Sequence, residues 1–135
     1  MTLQEFLNKG KSVKGITKKI IIGDRFKDEN GKDMAFEIKT LTAEQINDYR
    51  EQCTTYVGDD FRFNTSKFNS RVVIACCVCP NFKDTMSIAE RGCRTPEEYI
   101  SDVLLPGEIV ALSKEIQKLS GYDVDVNTLI EEAKN

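Results

Sequence analysis

The segment Val72-Val73-Ile74-Ala75-Cys76-Cys77-Val78-Cys79 constrains this chain most. It carries no charged, hydroxyl or amide side chain, so it is apolar on every face at any periodicity. Such a stretch belongs at the centre of a fold. Pro80 ends it, because proline lacks the backbone donor and clashes with a preceding helical turn. The run is far too short to span a membrane. Read back to Thr65, it is long enough for a central buried helix stopping before Pro80. On its own length, a buried strand is the alternative. A chain of 135 residues can wrap one such element in a single domain with a modest core.

What surrounds it is one hairpin and several amphipathic helices. Over residues 18–40, Ile20, Ile22 and Phe26 alternate on one strand, and Met34, Phe36 and Ile38 on the next. Asp28-Glu29-Asn30-Gly31-Lys32 joins them. A two-residue Asn30-Gly31 turn would pair Ile22 with Lys39 and put the two apolar sets on opposite faces. A three-residue loop, Glu29-Asn30-Gly31, pairs Asp28 with Lys32, Phe26 with Met34 and Ile22 with Ile38. That gives one apolar face, so a type I turn with a left-handed Gly31 in a bulge is expected. A lone hairpin is marginal and must lie on something.

Helices supply that support. Thr42-Ala43-Glu44-Gln45 is a capping-box pattern and opens a helix to about residue 56, with Ile46, Tyr49 and Cys53 as its stripe and Gly58-Asp59-Asp60 as its break. A short helix is expected over 83–91, ended by Gly92. Thr95-Pro96-Glu97-Glu98 caps and charges the start of another. Leu104-Leu105-Pro106-Gly107-Glu108 forms a corner. Ile109, Leu112, Ile116 and Leu119 then repeat at helical spacing up to Gly121, and Asp125 or Asn127 could cap a final helix. Residues 2–8 read as a short helix and 9–17 as a flexible linker. The expected fold is α+β and mainly α, an N-terminal β-hairpin packed on a small bundle of about five helices. Residues 1–17 form the helix and linker. Residues 18–135 form one domain, with its hairpin over 18–40 and its helical region over 42–135.

The residues speak against catalysis. There is no histidine, which removes the commonest general base and a leading metal ligand. The acids fall on caps and exposed faces, with none paired in an expected cleft. Asp59-Asp60 reads as a turn, and Asp28–Gly31 has too few oxygen donors for a calcium loop. Cys76, Cys77 and Cys79 lack metal-site spacing. Their Val, Ile and Ala neighbours disfavour a thiolate, so buried packing is expected. The odd total of five cysteines, three of them crowded together, opposes a disulfide scaffold. No glycine-rich loop has phosphate-cradle spacing. On the hairpin, acids outnumber Lys27, Lys32 and Lys39, which disfavours nucleic acid. No catalytic residue, cofactor or metal is therefore expected.

Charge is uneven along the chain. Residues 1–27 hold seven bases against Glu5 and Asp24, while residues 95–135 hold nine acids against Lys114, Lys118 and Lys134. The ends could attract each other, or the basic end an acidic partner; a solvated lysine-rich arm is the simpler expectation. The N-terminus has no basic stretch leading into a long apolar core, so no signal peptide is expected and the chain should stay in the cytosol.

The order of these features resembles the XkdN-like phage tail assembly chaperone family. The matching stretches are Gly23-Asp24-Arg25-Phe26, Asp28-Glu29-Asn30-Gly31, Phe36-Glu37-Ile38-Lys39, Leu41-Thr42 with Glu44, and Cys53-Thr54. Pro80-Asn81 with Asp84 follows, then Gly92 with Pro96-Glu97-Glu98, Leu104-Leu105-Pro106-Gly107-Glu108, and Leu119-Ser120-Gly121-Tyr122. The cysteine-rich second helix departs from the family pattern. The resemblance implies a chaperone that binds the tape-measure protein before the tail tube polymerises, keeps that apolar helical chain soluble and is then displaced. An apolar groove for one face of a client helix is the expected device, with Leu104, Leu105 and Ile109 as the first candidate residues. Packing of the last helices on each other is the competing role for these three. Self-association is a further expectation. A structural tail or baseplate component is the alternative function, and a cysteine-dependent enzyme a distant third.

Overall fold

A computed structural model describes residues 1–122. In chain order its elements are α1 (Leu3–Lys9), β1 (Thr17–Ile20), β2 (Phe36–Lys39), α2 (Ala43–Gln52), β3 (Thr54–Val57), β4 (Asp60–Phe63), α3 (Thr65–Cys76), β5 (Cys77–Cys79), α4 (Thr85–Glu90), α5 (Pro96–Val103) and α6 (Pro106–Leu119). The fold is α+β, with six helices and two small antiparallel sheets among the described residues. The expected final helix near Asp125 and Asn127 lies outside them.

The apolar run is central, but it divides. Its first half is the end of α3, where Phe68, Val72, Val73, Ile74 and Cys76 are buried. α3 packs against α2, α5 and α6. The helix then stops at Cys76 instead of running on to Pro80. Cys77–Cys79 turns extended and pairs antiparallel with β2. The physical reason is long-range. β2 is hydrogen-bonded to β1 on one side, and its other side would be an open row of backbone groups beside the core. An all-apolar sequence satisfies either periodicity, so this open edge decides.

The hairpin keeps two registers. At its tip, Gly31 N donates to Asp28 O at 3.0 Å, Asp28 N to Lys32 O at 2.9 Å and Met34 N to Phe26 O at 2.8 Å. Gly31 has φ +79°. This is the expected three-residue loop with its bulge, and Phe26 does face Met34. At its base, however, Ile20 faces Phe36 and Lys18 faces Ile38. The expected Ile22–Ile38 pairing is therefore wrong. Between the base pair Ile20–Phe36 and the tip pair Lys27–Asp33, the first strand holds four more residues than the second. Ile21–Arg25 leaves the ladder and forms a loop. An even offset preserves the facing of side chains, so Ile20, Phe36 and Ile38 are buried together while Ile22 and Phe26 pack at their margin.

The sheet has strand order β1-β2-β5. Its outer strands are β1, which carries exposed Lys18 and Lys19, and β5, which runs directly into Pro80. Leu112 and Ile116 of α6 and Ile100 of α5 complete the core with no exposure. One polar chain crosses it. The buried Ser113 hydroxyl donates to Asn69 Oδ1 at 2.8 Å and accepts from Gln117 Nε2 at 3.0 Å.

The helix starts follow the local code. Thr42 and Gln45 form both bonds of the capping box of α2. The side chains of Asn64, Asp84 and Thr95 cap α3, α4 and α5. Helix α2, expected to reach about residue 56, ends at Gln52. Tyr56 continues the spacing of Ile46, Tyr49 and Cys53, but Thr54–Val57 and Asp60–Phe63 form a second, unanticipated hairpin with Val57 opposite Asp60. Gly58, at φ +63°, takes the first place of its two-residue turn, as a type II′ turn requires.

Candidate functional site

The loop Ile21–Arg25 reaches the corner between α5 and α6. There Arg25 Nε donates to Glu108 Oε2 at 2.9 Å, and Arg25 Nη2 donates to Glu108 Oε1 and to the Val103 carbonyl at 3.0 Å. Glu108 Oε1 also accepts from the Leu105 backbone N–H at 2.7 Å, satisfying a free donor at the start of α6. The Arg25 guanidinium lies 4.4 Å from the centre of the Phe26 ring, and Phe26 meets Phe36 edge-on. Hydrogen bonding from Arg25 is the main cause holding the Glu108 carboxyl below its usual value.

Beside this corner, the three candidate residues separate. Leu104 is buried in the core, Ile109 is half-buried and Leu105 is 57% exposed. Leu104 and Ile109 line a groove of ≈ 240 Å³ with Pro106, Val110, Ser66 and Ser101. Leu105 is not among its lining residues. Val110, which the sequence reading did not single out, is there and exposed. Its position next to Ile109 on a helix edge was the available signal.

A second apolar surface was missed. On the β3–β4 hairpin, Thr54 and Tyr56 share a face with Phe63 and Phe61, which stand opposite them. With Arg50 from α2 they line a cavity of ≈ 340 Å³. Tyr56 and Phe61 are 75% and 68% exposed. Phe63 anchors the hairpin on Phe68 of α3, with ring centres 5.4 Å apart. The signal was present in Thr-Thr-Tyr-Val-Gly-Asp-Asp-Phe-Arg-Phe: β-forming residues around a Gly-Asp turn. A third apolar surface is α1, where Leu3, Phe6 and Leu7 are all exposed.

The cysteines do not act as a unit. Cys76 and Cys77 are buried, whereas Cys79, expected to be buried with them, is exposed. A bulge in β5 turns it outward: Cys77 pairs with the buried Ile38, but the register then shifts by one and Cys79 pairs with Glu37, on the other face of β2. Burial pushes the Cys76 thiol up to about 11 and that of Cys77 to about 12, so both stay protonated at neutral pH. Among the described residues no group of three or more His, Cys, Asp or Glu could hold a metal ion, and no helix is long and apolar enough to cross a membrane.

Fold and surfaces together define a small α+β domain that presents apolar residues on a groove, a hairpin and an N-terminal helix. The chain belongs to the phage XkdN-like tail assembly chaperone protein family, whose model matches residues 3–134. Members of this family are not known as enzymes. The chain is 29% identical over 137 residues to the uncharacterized protein YqbN of Bacillus subtilis strain 168, covering 96% of this chain and 91% of that protein. It is 28% identical to the phage-like element PBSX protein XkdN of the same organism, covering 96% and 92%. The crystal structure of YqbN superposes with a TM-score of 0.67 at 22% identity, over 86% of this chain and 93% of that one. That likeness supports the fold.

Proposed function

We propose that this chain binds the tape-measure protein of a phage or prophage tail in the bacterial cytoplasm, before the tail tube polymerises around it. Membership of the tail assembly chaperone family over residues 3–134 carries this reading. The client is a long helical chain with an apolar stripe, and an isolated amphipathic helix needs a groove to lie in. The opening lined by Leu104, Pro106, Ile109 and Val110 together with serines of α3 and α5 suits the apolar side chains of one helix face. It is small, and a small contact is released readily when the tube displaces the chaperone.

Co-expression with a tape-measure fragment tests this. The wild-type chain should co-purify with the fragment and raise its soluble yield. Val110→Asp should weaken capture about tenfold or more, because an unpaired carboxylate would be carried into an apolar contact. Val110 is 51% exposed, so the fold should survive, with an unchanged circular dichroism spectrum. A wild-type chain that neither captures nor solubilises the fragment ends the proposal. Stoichiometric amounts in purified finished tails, read by mass spectrometry, would make it a structural tail component instead.

A further inference from the structure

The exposed face of the β3–β4 hairpin and the exposed face of α1 are both apolar, and neither is covered by any described part of its own chain. We propose that α1 of one chain docks on the β3–β4 aromatic face of a second copy, and that the exchange is reciprocal, giving a two-fold dimer.

The surfaces match in size. A seven-residue helix is about 10 Å long, and the four-residue strands β3 and β4 span about 13 Å. They match in chemistry. Leu3, Phe6 and Leu7 lie at helix-neighbour spacing and form one stripe, while Tyr56, Phe61 and Phe63 offer a ring-lined cavity of ≈ 340 Å³. Their flanking charges are opposite in sign. Lys9 ends α1 and Lys11 follows it, whereas Asp59 and Asp60 lie at the hairpin turn; Glu5 lies in the first turn of α1, and Arg50 borders the aromatic face. Area then decides the occupant. At ~150–250 Å² per fully buried aromatic ring, and with these rings already partly covered, one such contact removes at most roughly 700 Å² in total, a size typical of crystal packing, whereas two reciprocal contacts remove up to roughly 1,400 Å², within the range of stable complexes. In its own chain α1 buries none of its residues, and exchange between two copies supplies two such contacts.

Sedimentation velocity on the full chain, without any client, tests this independently of tape-measure binding. The wild type should be dimeric at about 100 µM, a concentration that interfaces of this area readily saturate. Phe6→Asp on one surface and Phe61→Asp on the other should each raise the dimer dissociation constant at least about tenfold. Circular dichroism should show both variants folded, since both residues are exposed; Tyr56→Ser replaces Phe61→Asp if the latter disturbs the hairpin. A wild type that stays monomeric overturns the proposal. So does a dimer that survives Phe6→Asp, which would mean that the hairpins pair with each other, or one that survives the hairpin variants, which would place the contact elsewhere.

Discussion

Cys76, Cys77 and Cys79 are near neighbours in sequence yet experience different solvents, and backbone geometry explains it. Cys76 ends α3 facing the core, and its thiol lies 3.8 Å from the Thr40 carbonyl. Cys77 opens β5 facing inward, and Cys79, two residues on, is exposed. Their shared apolar neighbourhood was legible in the sequence, and so were the raised thiols. The exposure of Cys79 was not, because it depends on a change from helix to strand followed by a one-residue bulge against β2, neither of which apolar residues encode. Alkylation at pH 8 should therefore modify Cys79 in the native protein and reach Cys76 and Cys77 only after denaturation, as peptide mass spectrometry would show. The same burial sets a pH dependence. A thiol whose folded pKa is raised from 9.0 to about 11 or 12 contributes stability that is full below pH 9 and is lost as pH climbs toward those values. The melting temperature should fall across that window, and Cys77→Ala should flatten the fall.

At the level of elements, local signals located starts better than ends. The capping box of α2, the Thr95-Pro96 start of α5 and the bulged loop at Gly31 were all readable, because each is a contact between residues a few positions apart. Thr42→Ala removes an acceptor for a helical N–H and should cost about 1 kcal/mol, measurable as a shifted urea midpoint with an unchanged slope. The ends of α2 and α3 were misread for the opposite reason. After Gln52 the helical spacing continues through Tyr56, but Gly58 favours a tight turn that lets Thr54–Val57 pair with Asp60–Phe63. After Cys76, β2 recruits a third strand from about forty residues away in sequence. The end of α3 is decided by a strand far away in sequence, and the end of α2 by a turn and pairing within the residues that follow it. The hairpin's aromatic face was missed with the hairpin itself. Of the groove residues, Leu104 and Ile109 were found because the Leu-Pro-Gly-Glu corner marked them, and that corner does border the groove.

Across the molecule, two distant stretches of the family resemblance meet. Gly23-Asp24-Arg25-Phe26 and Leu104-Leu105-Pro106-Gly107-Glu108 are far apart in the chain, but Arg25 and Glu108 bond through two atoms on each side. The sequence showed both stretches and could not show that one holds the other. The loop Ile21–Arg25 of the first hairpin, which broke the expected register, exists where that contact is made. Because Arg25 depresses the Glu108 carboxyl, the stability it contributes is present above pH 4.5 and is lost as pH falls through the lower folded value. Glu108→Gln should melt earlier than wild type at pH 7, and the gap should close as the solution is acidified. Arg25→Ala combined with Glu108→Gln should cost less than the two changes added together. Arg25 is 47% exposed at its side chain, so molar salt should narrow the gap as well. The sheet edges have a different consequence. Exposed Lys18 and Lys19 mark one outer strand, and Pro80, with no N–H to offer, follows directly on the other. Both edges of the three-stranded sheet are thus blunted against an extended neighbour, and strand-wise aggregation, where forced, should begin at the β3–β4 hairpin, which is exposed along both strands.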